Sequence, residues 1–165
     1  MNENNFSMDS FHHSIYLNKP LGEVFKYSAT PKGFTKWFIG EAEFISSGGK
    51  RRGKDELVSA GDKYSFKWLA KDYSVTGEVL DISENSSIRF KFGTSFIVTI
   101  TVKEDKGRTL FTLRQEYNSS APKSDFAHIN CCVCWAFFIT NLKSVIEFGN
   151  DLRETQAESE ELVNR

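Results

Sequence analysis

A chain of 165 residues that is 39% hydrophobic and 14% aromatic, with 15 Phe against 2 Met and 3 Pro, has the apolar bulk for one folded, aromatic-rich core and is not a disordered segment. A formal charge of −1 supplies no field that would draw it onto nucleic acid or an anionic membrane, so no nucleic-acid partner is expected. Residues 1–10 carry neither a basic nor an apolar signal-like stretch, which predicts a cytoplasmic protein, and cysteines crowded at 131, 132 and 134 fit reduced thiols better than disulfides.

In chain order, Phe11, Ile15 and Leu17 share strand parity before Asn18-Lys19-Pro20 breaks the run. Pro20 suits a first helical turn, with Leu21, Val24, Phe25 and Ser28 following at helical spacing. Thr30-Pro31 reads as the cap and first turn of a second short helix that carries Phe34, Trp37 and Phe38 as far as Gly40. Alternating runs then recur at Ala42 and Phe44, at Tyr64, Phe66 and Trp68, and at Tyr73, Val75 and Val79. They continue at Ile88, Phe90 and Phe92, at Phe96, Val98, Ile100 and Val102, and at Phe111, Leu113 and Tyr117. The opposite parity is polar, and the breaks at Lys71-Asp72, Glu84-Asn85-Ser86, Gly93-Thr94-Ser95 and Asp105-Lys106-Gly107 have hairpin length, which predicts an antiparallel meander with one wet face. Residues 46–62 form the one long loop, read as a flexible, solvated basic connector; Gly48-Gly49-Lys50 lacks the spacing of a phosphate-binding loop.

Residues 126–142 contain no Asp, Glu, Lys or Arg, and their apolar side chains cover every helical face. Such a helix either spans a membrane or is buried on two sides; the run is short for a bilayer and is interrupted by His128, Asn130, Thr140 and Asn141, so a buried helix ending at Gly149 is expected, with no membrane span. The whole reads as one α+β domain over residues 11–153, with flexible termini at 1–10 and 154–165. The order of strand, two short helices, meander and long final helix is the helix-grip arrangement of START-like proteins, a curved sheet wrapped around the last helix.

Particular residues narrow this. Val24-Phe25, Thr30-Pro31 and Trp37-Phe38 are followed by Gly61-Asp62-Lys63-Tyr64-Ser65-Phe66 and Gly77-Glu78-Val79. The closing set is Trp135, Leu142-Lys143, Ile146-Glu147, Gly149 and Asp151-Leu152-Arg153. Over residues 14–153 this pattern resembles the family related to the C-terminal domain of the activator of the heat-shock-protein-90 ATPase. The resemblance implies a chaperone protein as partner and a role in the stress response, and the wider superfamily includes polyketide cyclases. Cys134 stands where the family pattern leads us to expect the glycine of a Gly-Trp pair, Cys131-Cys132 is outside the pattern, and the long basic loop exceeds the expected connection.

Few residues form a recognisable chemical set. His128, Cys131, Cys132 and Cys134 have the donor atoms for zinc, but on one helix they spread too far round the axis to close a tetrahedron, so no metal and no cofactor are expected. No orienting third group accompanies a Cys–His pair, and Glu78 and Glu116 read as a solvated pair, while Arg114 and Glu116, two apart on one strand face, suit a pocket polar pair and a surface pair equally. The leading expectation is therefore a non-enzymatic binder of a small apolar or lipid-like ligand held between sheet and final helix. Its expected contacts are Phe66, Trp68, Val79, Phe90, Phe92, Phe96, Val98, Trp135, Phe138 and Leu142. The rivals are a co-chaperone acting through its surface and a cyclase-like enzyme.

Overall fold

The computed structural model describes residues 5–69 and 72–155. Its elements are β1 (Ser10–Leu17), α1 (Leu21–Ala29), α2 (Pro31–Thr35), β2 (Glu41–Ile45) and β3 (Lys63–Lys67). They continue with β4 (Ser74–Ser83), β5 (Ser87–Phe92), β6 (Phe96–Asp105), β7 (Arg108–Tyr117) and α3 (Asp125–Phe148). The strands form one curved sheet in the order β1-β7-β6-β5-β4-β3-β2, with each neighbouring pair antiparallel. The helix-grip α+β fold is thus present: β1 pairs with the last strand, α1 and α2 carry the chain to the far edge, and the meander returns to place α3 along the inner face. Residues 1–4 and 156–165, at the termini expected to be flexible, and Lys71 of the expected Lys71-Asp72 break lie outside the described residues.

Strand chemistry follows side-chain parity. Phe96, Val98, Ile100 and Val102 of β6 are buried while Thr101 and Lys103 are exposed, and Phe111, Leu113 and Gln115 of β7 continue the inner layer. In β4 the pairing passes from Val79 opposite Phe90 to Asp81 opposite Arg89, so Leu80 is an extra residue and Ile82, not an odd-numbered residue, resumes the inner parity. Tyr64 lies opposite Gly77, and its hydroxyl reaches past Gly77 to donate to the Lys91 carbonyl on β5. A Cβ at Gly77 would stand 2.5 Å from the Tyr64 hydroxyl oxygen, so this strand position has room only for glycine.

Two local expectations are corrected. The second short helix ends at Thr35, not Gly40: the Phe38 and Ile39 amides both turn to the Phe34 carbonyl, and the Gly40 amide joins the Lys67 carbonyl on β3 at 2.9 Å, which draws the chain out of helical register. The basic loop, read as a flexible connector, is tied down from within. Arg52 makes a bidentate pair with the buried Asp62 at 2.8 and 2.9 Å and a third bond to Glu56 at 2.8 Å, while Asp62 also accepts from the Ser59 amide. The Gly53 amide and Arg52 hold the Glu56 carboxyl below its ordinary value, and the two carboxylates raise the Arg52 guanidinium above its own. The Val58 amide joins the Ala29 carbonyl at 3.0 Å and the Val79 amide joins the Asp62 carbonyl at 2.8 Å, so the loop is fastened both to α1 and to β4. The order comes from an ion pair ten residues apart, which no local spacing announces.

α3 runs unbroken from the Ser124 cap, whose hydroxyl accepts from the Ala127 amide at 3.3 Å, to Gly149, whose left-handed φ of 73° ends it. By length and composition it could cross a membrane, yet one face is built into the domain. His13 Nε2 bonds the Cys132 carbonyl at 2.9 Å, Lys143 donates to the Tyr16 carbonyl at 2.7 Å, and the buried Asn141 donates to the Trp37 carbonyl at 2.9 Å. Asn141 also accepts from the Leu152 amide, and Arg153 donates to the Ile39 and Thr35 carbonyls, so Asp151-Leu152-Arg153 staples the end of α3 to the loop after α2. The outer face was expected to be covered too. It is not: Ile129 and Val133 are exposed, because no element is placed across that side of the helix among the described residues.

Candidate functional site

An apolar cleft of about 370 Å³ opens between the first half of α3 and the end of the sheet formed by β3, β4 and the β5–β6 hairpin. The helix contributes Phe126, Ala127, Asn130, Cys131, Cys134, Trp135 and Phe138, positions that recur at intervals of three and four and so share one face. The sheet side supplies Trp68, Tyr73, Val75, Phe92 and Phe96, with Gly93, Thr94 and Ser95 from the turn between β5 and β6, and Phe38 closes the inner end. Its mouth lies beside Tyr73 and Phe126, which are 57% and 83% exposed.

Of the ten expected contacts, Trp68, Phe92, Phe96, Trp135 and Phe138 line this cleft. Phe66, Val79, Phe90, Val98 and Leu142 instead lie in the sealed core beside it. Ring contacts explain the division. Tyr64 and Phe66 stand 4.1 Å apart between centroids, Phe34 and Phe66 5.0 Å, and Phe44 and Phe66 5.6 Å, so aromatic side chains from α2, β2 and β3 fill that part of the interior. At the other end Phe38 packs on Trp135 at 4.5 Å and on Phe138 at 4.9 Å, forming a wall rather than a plug.

Asn130, Cys131, Cys134, Phe126, Tyr73, Val75 and Phe38 line the cleft although they are not among the ten expected ligand contacts. The three- and four-residue spacing around Trp135 and Phe138 was the available signal for those on α3. Cys134, in place of the glycine expected beside Trp135, is exposed and lines the cleft, so its bulk narrows the cleft. Gln115 was also passed over; it sits on the buried parity of β7, and Trp135 Nε1–H donates to its Oε1 at 2.8 Å.

The lining is chemically quiet. Among the described residues no carboxylate, histidine, lysine or arginine lines the cleft; its polar groups are uncharged amides, hydroxyls and thiols. Burial pushes the Cys131 thiol up to about 11 and raises that of Cys132, so near neutral pH both are thiols and not thiolate nucleophiles. His128 is turned away, with Nε2 on the Ser7 carbonyl at 2.9 Å and its ring between Phe11 and Tyr117, while Cys132 lies against His13. Among the described residues no three His, Cys, Asp or Glu side chains come together to hold a metal ion. Glu78 pairs with Lys91 at 3.1 Å and Glu116 with Arg114 at 3.3 Å, in half-exposed pairs away from the cleft.

The sequence model of the Activator of Hsp90 ATPase homolog 1-like protein family matches residues 18–147. The chain belongs to this family. A search of curated proteins finds no match. Solved structures share the fold of this chain at low identity. A Staphylococcus saprophyticus protein aligns with a TM-score of 0.68 at 16% identity, covering 87% of this chain and 96% of its own. The Aha1 dimer of Colwellia psychrerythraea aligns with a TM-score of 0.65 at 15% identity, over 86% and 98% of the two chains. CalU16 of Micromonospora echinospora gives 0.60 at 17%, over 85% and 77%.

Proposed function

We propose that this member of the family binds a small, uncharged, apolar ligand in the cleft between α3 and the sheet. The observation that carries the reading is the cleft itself: about 370 Å³ of open space walled by Trp68, Phe92, Phe96, Trp135 and Phe138, with no charged residue in the described lining. Aromatic walls favour flat ring systems, and a lining without cations leaves a ligand carboxylate unpaired, which is costly in apolar surroundings. A probe such as N-phenyl-1-naphthylamine, with about 17 non-hydrogen atoms each contributing roughly 0.4 kcal/mol, gains about 7 kcal/mol, a Kd on the order of 10 µM.

The test is a fluorescence titration of that probe against the wild type and Cys134→Trp. Cys134 is exposed at the cleft, so the indole fills the space without overpacking the core. Saturable binding that weakens by about tenfold or more, roughly 1.4 kcal/mol, with the thermal midpoint retained, is expected. Absence of saturable binding, or equal binding to both proteins, refutes the cleft reading.

A second reading has one observation in its favour. Ile129 and Val133 on the outer side of α3 are apolar and exposed, as a protein-contact surface would be, and the family name points to an Hsp90-type ATPase as the partner. Stimulation of such an ATPase that is lost in Val133→Asp but retained in Cys134→Trp would support the surface and not the cleft.

A further inference from the structure

Gln115 is the one polar side chain on the inner face of β7 between Leu113 and Tyr117, and it is fully buried. Because the indole of Trp135 donates to Oε1 at 2.8 Å, the amide is held one way round, with its oxygen on the indole and its NH2 group on the other side. That nitrogen has no oxygen or nitrogen acceptor, and the group beside it is a thiol sulfur, a weak acceptor. It faces the Cys131 thiol, whose ionised form it would stabilise, and Cys131 and Trp135 are both cleft-lining residues. A buried donor left without an acceptor is unusual and destabilising, and a polar group inside an apolar site is the ordinary means of orienting what binds there.

We propose that Gln115 is the polar anchor of the cleft, donating its free N–H to an oxygen of the ligand, so that the preferred ligand class is a flat, uncharged ring system bearing a carbonyl-type acceptor. The inference rests on the ligand reading above and specifies its chemistry. The oriented group is a donor, so it selects an acceptor. The donor is neutral and the described lining carries no cation, so it selects a ketone, quinone or lactone oxygen over a carboxylate. Gln115 does not itself line the open cleft; Cys131, which lines the cleft and touches the Gln115 side chain, has to turn about its side-chain bond for a ligand oxygen to reach the amide. Trp135 acts as the positioning residue, since its indole decides which end of the amide is offered.

Fluorene and 9-fluorenone test this, because they are nearly isosteric and differ by one carbonyl oxygen. Both are measured by displacement of N-phenyl-1-naphthylamine, and the readout is the ratio of their dissociation constants in the wild type divided by the same ratio in Gln115→Leu. Taking the ratio of ratios removes their different partitioning from water. One neutral hydrogen bond to an otherwise unpaired donor predicts that the preference for 9-fluorenone falls by about 5- to 20-fold in the variant. If Gln115→Leu does not fold, Trp135→Phe releases the amide to rotate, and the same preference should fall by about threefold or more. Probe binding with an unchanged preference overturns the anchor, as when a water occupies Nε2, while leaving the cleft reading intact. Failure of the probe to bind at all removes the cleft reading first, and the anchor with it. A purely structural Gln115 lowers stability in the variant without moving the preference.

Discussion

Gly77→Ala is expected to destabilise the domain by about 3–5 kcal/mol, above the ~1–3 kcal/mol of ordinary overpacking. The added Cβ would stand 2.5 Å from the Tyr64 hydroxyl oxygen and closer still to the Lys91 carbonyl oxygen. The carbonyl belongs to the backbone of β5 and cannot move without disturbing the sheet, and the ring is one of the aromatic cluster that fills the core beside α2. Burial raises the Tyr64 hydroxyl well above its ordinary value, so it stays protonated and its bond to Lys91 is kept across the usable pH range. Tyr64→Phe removes that bond alone and should cost about 1–2 kcal/mol. Urea midpoints separate the two, and a Gly77→Ala midpoint equal to that of the wild type would mean that β4 and β5 do not approach as described.

Trp135→Ala should cost about 4–6 kcal/mol. Truncating a buried Trp removes about 3–5 kcal/mol of packing, and leaving the Gln115 oxygen without its donor adds about 1–3 kcal/mol, which partial collapse of the cavity offsets. Trp135 is 2% exposed and touches Phe38, Phe92 and Phe138 as well as Gln115, so it joins α3, the loop after α2 and the sheet. Trp135→Phe keeps most of that ring contact and should lose only about 1–2 kcal/mol. Equal losses for the two variants, measured by urea denaturation, would show that the indole N–H bond and not the packing carries the contribution.

Much of the frame was readable from residue order. The bounds of α3 followed from a charge-free run with Gly149 beyond it, and the meander followed from period-two alternation with short polar breaks. Parity alone does not say which inward residues meet a ligand. Phe66 and Trp68 are two apart on β3 and its continuation, yet Phe66 is sealed by Phe34, Phe44 and Tyr64 while Trp68 stands at the cleft. That difference is made by rings arriving from α2 and β2, which are remote in sequence. Gln115 was visible in principle as a polar residue at a buried parity, but its meaning depends on the Trp135 indole twenty residues away. The exposed side of α3 was misread for a related reason: composition gives the apolarity of a helix face, and only the topology gives what covers it.

The central claim, that the cleft and not the outer face of α3 receives an apolar ligand, is tested most directly by methyl NMR during titration with N-phenyl-1-naphthylamine. Val75 and Ala127 line the cleft, whereas Ile129 and Val133 lie on the exposed outer stripe. Saturable shifts and intermolecular NOEs at Val75 and Ala127, with Ile129 and Val133 unmoved, are predicted; shifts confined to Ile129 and Val133 would contradict the account.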